Sequence, residues 1–369
     1  MPEIQEILKS VKPRGLSDIQ HKAFYAMKGC RTSSQGSHVD VCDSCGHVEI
    51  SYNSCRNRNC PKCQGSRQEE WVESQLSRLL PVGYFHIVFT LPYELNTIIY
   101  QNQSLLYSTM MKAVGDTIIE LAQSPKHLGA LPDITAILHT WGQNLHYHPH
   151  VHCIVSGGGL SNDGLRFVYS GKKFFIPVKV LSRKFRGKFL YHLRKAWYDG
   201  LICLHGKALE LAEGENFADL LEKLRSKEWV VFCKKPFRAP VHVVRYLGRY
   251  THRVAISNSR IVSFDGQRVV FRWKDYRDGN RQKLMSLTAD EFVRRFMQHI
   301  LPHHFVKLRH YGVFSNRMIA AHFLLCMKLA GGNIPPFVKK EKHRIECPAC
   351  KSGQMVFSGV ITPPAFAGP

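Results

Sequence analysis

The segment HTWGQNLHYHPHVHCIV places His139, His146, His148, His150 and His152 within one short stretch. In an extended strand alternate residues share a face, so 148, 150 and 152 point one way while Val151 and Cys153 point into the core. Two imidazoles on one face of a rigid strand can bind one divalent ion and leave positions open for a phosphate and a water. An exposed polar face is the plainer reading of one such histidine, but three at strict alternation, with a fourth on the preceding strand, argue against it. His139 is the choice for third ligand, because its strand lies beside that of His150; His148 competes, although Pro149 could swing it away. Imidazole suits zinc, nickel and copper, whereas phosphodiester chemistry often runs with magnesium or manganese, whose hardness prefers oxygen.

The chain contains 12 cysteines, of which Cys30, Cys42, Cys45, Cys55, Cys60 and Cys63 fall close together near the start. Cys42 and Cys45 form one C-x-x-C and Cys60 and Cys63 another, at nearly zinc-ribbon spacing, so these four are expected to close a tetrahedron around zinc. Burial as ordinary apolar cysteines is a poor alternative, since the surrounding Asn, Arg and Pro offer no core. Cys30, His38 and Cys55, with His21 or His47, are candidates for a second site, which makes one or two zinc ions in all. Arg56, Arg58, Lys62 and Arg67 between and after these ligands suggest a module that touches phosphates. Cys347 and Cys350 form half a ribbon near the end, which must borrow ligands or bind nothing.

In VVRYLGRYTHR, Tyr246 and Tyr250 are four apart, so on a helix both phenols share one face. Alone, the pair reads as interfacial tyrosines of an amphipathic helix; behind a His-x-His site, in a basic chain, they become candidate nucleophiles. Arg245, Arg249 and Arg253 flank them and are candidates for holding a DNA backbone, with a solvated helix face as the alternative. FRWKDYRDGNRQK, at 271–283, could stack unpaired bases or form a surface hairpin.

The elements that must position these groups follow from periodicity. Strands are expected at 84–91, 134–142 and 150–159, helices at 94–123 and 179–204, then a second helical segment, a strand in WVVFCKKPF ended by Pro236 and Pro240, and a helix in VHVVRYLGRYTHR. VAISNSRIVSF and RVVFRWKD flank an Asp-Gly turn at 265 and 266, a strong hairpin signal. This order fits an α+β fold, an antiparallel sheet covered by helices, better than a doubly wound parallel sheet. Three consecutive parts are expected: a zinc-binding domain at 1–75, a catalytic domain at 76–330, and a Pro/Gly-rich tail at 331–369. Lys and Arg number 51 against 28 Asp and Glu, a formal charge of +23 that makes a polyanion the first partner to consider. No apolar run approaches the ~20 residues needed to cross a bilayer, and the start, MPEIQEILKS, is not a secretory signal, so a soluble cytoplasmic protein is expected.

The combination of HPHVHCIVSGGG, RYLGRY and EFVRRFMQHILPHHFVKLRHYG behind CRTSSQGSHVDVCDSCG and SCRNRNCPKCQ resembles the two-tyrosine HUH transposases of rolling-circle insertion sequences, over about residues 15–330. The resemblance implies an RRM-like endonuclease core whose histidine, hydrophobic, histidine motif is matched by His150, Val151 and His152. It also implies nucleophiles matched by Tyr246 and Tyr250, and a zinc-binding amino-terminal domain. The chemistry it implies is nicking and rejoining of single-stranded or hairpin DNA through a 5′-phosphotyrosine, with a divalent ion, magnesium or manganese, polarising the scissile phosphate. No P-loop is present, so unwinding falls to host replication or helicase machinery. The competing readings are a plasmid-type relaxase or replication initiator, a histidine-triad nucleotide hydrolase, and a non-catalytic zinc-dependent DNA-binding protein.

Overall fold

The computed structural model describes residues 2–63, 72, 78–171, 176–237, 248, 255–276, 278–315, 319–332 and 345–363. The expected helix at 241–253 lies outside them except for Gly248, and with it Arg245, Tyr246, Arg249, Tyr250 and Arg253. In chain order the elements are α1 (Ile4–Ser10), α2 (Asp18–Lys28), β1 (Ser37–Cys42), β2 (Val48–Tyr52), β3 (Tyr84–Thr90), α3 (Asn96–Gln101), α4 (Gln103–Gln123), β4 (Ala130–Trp141) and β5 (Tyr147–Ser161). They continue with β6 (Phe167–Tyr169), α5 (Val178–Tyr198), α6 (Gly214–Ser226), β7 (Val231–Phe237), β8 (Ile261–Phe264), β9 (Arg268–Asp275) and β10 (Arg281–Thr288). Last come α7 (Ala289–Met297), β11 (Leu308–Gly312), α8 (Ile319–Leu329) and β12 (Met355–Ile361). Antiparallel sheets flanked by helices make this the α+β fold expected. Among the described residues no helix is long and apolar enough to cross a membrane.

Two compact units form, and they do not follow the three consecutive segments expected from composition. The first combines Met1–Arg67, His252–Ile300 and Pro335–Pro369; the second combines Gln68–Thr251 and Leu301–Ile334. The tail is therefore no loose appendage. Its strand β12 pairs antiparallel with β1, Ser37 opposite Ile361 and Cys42 opposite Met355, while β2 pairs with the other edge of β1. The same unit holds the meander β8-β9-β10, against which α7 packs, with Phe271 and Phe292 edge to face at 5.8 Å. Thr288 caps α7 by accepting from the Glu291 amide.

The second unit is built on a six-stranded sheet in the order β11-β4-β5-β3-β7, with β6 on β5. One face has an apolar centre: Phe85, Ile87 and Phe89 of β3 and Val151, Cys153 and Val155 of β5 meet α4 and α5. Those helices offer buried side chains four apart, Leu106, Met110, Val114 and Ile118 on α4 and Phe185, Phe189 and Leu193 on α5. On the other face Tyr84, Ile137 and Ile154 join Phe314, Cys326 and Met327 in a smaller core. The glycine run after Cys153 serves packing: a Cβ on Gly159 would meet the Leu131 carbonyl oxygen at 2.2 Å.

The long helix expected at 94–123 is interrupted. Asn102 leaves helical geometry (φ −126°, ψ 41°), because its side chain donates to the carbonyls of Ile98 and Cys203 and accepts from the Cys203 amide. The helix expected at 179–204 ends at Tyr198, just before Gly200 turns left-handed at φ 67°.

Candidate metal centres

The histidines owe their meeting to sheet register. His139 of β4 stands directly opposite His150 of β5, and Ile137 stands opposite His152. Alternation then puts His139, His150 and His152 on the face away from α4 and α5, where each offers a ring nitrogen within 4.8 Å of the others. The ring centroids of His139 and His152 are 4.6 Å apart, and Trp141 stacks on His139 at the same spacing. His139 and His152 are buried and His150 is half-exposed, so the cluster opens on the His150 side.

Hydrogen bonds to the second ring nitrogens decide which atoms face a metal. Nδ1 of His150 donates to the His148 carbonyl at 2.7 Å, which leaves Nε2 as the ligand atom. His148 itself is exposed and contributes this carbonyl; the cluster contains His139, the expected third ligand, and not its competitor. Nδ1 of His152 lies 2.8 Å from Nε2 of His86, a buried residue of β3 whose ring stacks on it with only 3° between planes. If His152 donates in this bond, its own Nε2 keeps a lone pair for a metal. Burial, helped by Lys234, pushes His86 down to about 4, and burial likewise pushes His150 to about 4. Both imidazoles are thus neutral at physiological pH. Sequence reading missed His86; its only signal was a lone histidine in the apolar strand YFHIVFTL.

The cysteines form two groups of four, paired differently from the expectation. Cys60 and Cys63 stand with Cys30 and Cys55, whereas Cys42 and Cys45 stand with Cys347 and Cys350. In the first group Cys63 lies 3.5 Å from Cys30 and 3.6 Å from Cys55, sulfur to sulfur. Tetrahedral zinc with Zn–S bonds of about 2.3 Å separates its sulfurs by roughly 3.8 Å, whereas a disulfide brings them to about 2.05 Å, so the donor set fits zinc. The Cys55 amide donates to Cys30 and the Gln5 side chain to Cys60. His38 is not among the ligands: its ring bonds the Asn53 side chain at 3.0 Å and pairs with Asp40 at 3.5 Å.

Positive charge and aromatic rings lie near these sulfurs. A cleft of about 930 Å³ in the first unit is lined by Arg31, Arg56, His38, Tyr52 and Phe357 among others. In the second unit α5 surrounds a shallow pocket of about 340 Å³ with Arg183, Arg186, Arg194 and Tyr191. The segment at 271–283 belongs to the β9-β10 hairpin, where Lys283 lies over the Trp273 ring and pairs with Asp275.

Comparison with known proteins gives two family matches. A family described as "Putative transposase" matches residues 134–321, across the histidine cluster, and one described as "Transposase zinc-binding domain" matches residues 3–91. "Putative transposase y4qJ" of Sinorhizobium fredii is 44% identical, covering 98% of this chain and 97% of its own length. "Transposase for insertion sequence element IS801" of Pseudomonas savastanoi pv. phaseolicola is 30% identical, covering 82% of this chain and 72% of its own. No solved structure matches the chain. These matches leave the nucleotide-hydrolase alternative unsupported, and the chain belongs to the two-tyrosine, rolling-circle transposases of the IS91 and IS801 kind, with a zinc-binding domain at its amino-terminal end.

Proposed function

We propose that the protein nicks and rejoins single-stranded DNA at the His139, His150 and His152 cluster, with Tyr246 and Tyr250 as nucleophiles. The observation that carries this reading is the cluster itself: three imidazoles converge on one point on a face of the sheet, two of them buried and His150 partly exposed. A divalent ion held there, magnesium or manganese, supplies Lewis acidity to a scissile phosphate. His150 and His152 are oriented for this by the His148 carbonyl and by His86.

A phenol titrates near 10, so at neutral pH about one in a thousand is ionised and it depends on a polarised phosphate. One tyrosine gives up its proton and bonds to phosphorus. The bond to the 3′ oxygen breaks, that oxygen takes up a proton, and a 5′-phosphotyrosine and a free 3′-hydroxyl result. Attack by the 3′-hydroxyl of another strand reverses the step, and the energy held in the phosphotyrosine bond removes any need for ATP. Two tyrosines four positions apart in the sequence provide for two such attacks at one site. The basic residues of α5 and of the Arg31 and Arg56 cleft serve as contacts for the strand, which host machinery unwinds.

The test is to trap the adduct on labelled hairpin and single-stranded oligonucleotides and map it by mass spectrometry. Tyr246→Phe and Tyr250→Phe are each expected to keep some nicking and to lose complete transposition, and the double variant to form no adduct. Adducts on one tyrosine alone, with the other replaceable at no cost to transposition, would refute the two-nucleophile reading.

A further inference from the structure

We infer that Cys42, Cys45, Cys347 and Cys350 hold a zinc ion of their own, which fastens the carboxy-terminal strand β12 to β1. The matched zinc-binding domain ends at residue 91, so half of this ligand set lies outside it. Cys42 lies 3.7 Å from Cys350, and Cys45 lies 3.7 Å from Cys347, sulfur to sulfur. Both distances are close to the tetrahedral edge expected for four thiolates on one zinc.

The two halves are built alike, although 302 residues separate Cys45 from Cys347. In each, the residue after the second cysteine turns left-handed, Gly46 at φ 73° and Lys351 at φ 58°, and its amide donates to the carbonyl of the first cysteine, Cys42 or Cys347. In each, an amide also reaches back to a sulfur: Cys45 to Cys42 at 3.4 Å and Gly353 to Cys350 at 3.3 Å. Such N–H···S bonds stabilise the ionised sulfur that a metal requires. Closure between the halves is tight. The Gln354 amide donates to the Asp43 carboxylate at 2.8 Å and the Asp43 amide to the Gln354 carbonyl at 3.0 Å. A Cβ on Gly353 would stand 2.5 Å from the Cys42 sulfur, so only glycine lets the second half approach.

Fastening β12 has a visible result, because Phe357 and Val360 of that strand line the cleft that also contains Arg31 and Tyr52. The site does not depend on which residues carry strand transfer, so its test needs no nicking assay.

Cobalt substitution of the full chain distinguishes sulfur-bound from imidazole-bound ions, since thiolate ligands alone give an intense near-ultraviolet charge-transfer band. The unmutated chain is expected to show the band of two four-sulfur centres, and the Cys347→Ser/Cys350→Ser variant about half that intensity, with one zinc fewer by metal analysis. An undiminished band in a folded variant overturns the inference. So does a single-centre band in the unmutated chain, a measurement that decides the matter even if the variant fails to fold. Recovery of Cys42–Cys350 and Cys45–Cys347 as disulfides, by non-reducing mass spectrometry of freshly purified chain, also overturns it.

Discussion

Sulfur and imidazole divide the labour between the two units. Each cysteine group supplies four donors and so saturates a tetrahedral ion, whereas the histidine group supplies three and leaves positions for water or substrate. Charge separates them further. Four thiolates around Zn²⁺ leave a net charge of about −2, which repels a phosphate backbone, while three neutral imidazoles leave the full charge of about +2 on a divalent ion. The sulfur centres therefore need cations beside them to face DNA, and Arg31 and Arg56 directly follow Cys30 and Cys55 in the chain. With a divalent ion bound, the histidine centre would attract phosphate unaided. A closed anionic centre shapes the molecule; an open cationic one can act on a strand.

The comparison breaks most visibly if a sulfur centre proves dispensable to the fold. Structural zinc sites contribute on the order of 10 kcal/mol, so Cys30→Ser should lose one zinc and unfold the first unit, read by metal analysis and by proteolysis of the amino-terminal segment. Intact protein with a full complement of zinc would remove the distinction. At the histidine centre the opposite pattern is expected. His150→Ala or His152→Ala should lower manganese-dependent nicking by roughly 10³-fold or more, with zinc content and single-strand binding retained. Full cleavage by either variant would take the cluster out of the chemistry.

A smaller effect belongs to His86. Groups that hold a ligating histidine typically matter by about 10- to 100-fold in metal affinity, so His86→Leu should weaken manganese binding by that factor, measured as free ion by electron paramagnetic resonance. His86→Gln keeps an acceptor opposite His152 and should restore most of it. Equal affinity in all three proteins would make the stacked pair a packing feature.

The smallest effect concerns an acid of the second unit that is no ligand. Asp133 is buried with Oδ1 unbonded, and burial pushes its carboxyl from 3.8 to about 7. With the folded value raised, its contribution to stability is complete below about 3.8 and is lost as pH rises through about 7. Asp133→Asn has no such loss. It should therefore melt higher than the parent at pH 8.5, by roughly 1–3 kcal/mol for an unsatisfied buried group, at about 2–4 °C per kcal/mol, with the gap closing toward pH 5. If the substitution also moved metal affinity, the boundary of the histidine centre would have to be drawn wider.

The histidine cluster was legible because its cause is local. Alternation along β5 and a short turn from β4 suffice to bring His139, His150 and His152 together, and both are written in adjacent residues. His86 was not legible, since a histidine inside YFHIVFTL gives the same periodic signal as a core residue and its partner lies 66 positions away. The cysteines failed for a related reason. C-x-x-C spacing shows that two sulfurs are neighbours but carries no information about which pair completes the tetrahedron, and one answer lay more than 300 residues downstream. The tail composition, rich in Pro and Gly at its end, masked β12, whose register against β1 depends on a knuckle remote in sequence. Asn102 shows the same limit within a helix: its partner Cys203, not its own propensity, interrupts the run.

The pairing of β12 with β1 also has a consequence in time. A ribosome adds about 5–20 residues per second, so roughly 15–60 s pass between the emergence of Cys45 and that of Cys347, 302 residues later. During that interval β1 has an unpaired edge, and the sulfurs of Cys42 and Cys45 lack their partners, while by its end all the described strands of the sheet that carries the histidines are made. A message cut short after residue 334 would thus yield the histidine sheet without a finished first unit. A strand translated more than 300 residues later completes the sheet that β1 begins, so its closure registers that translation has passed β12.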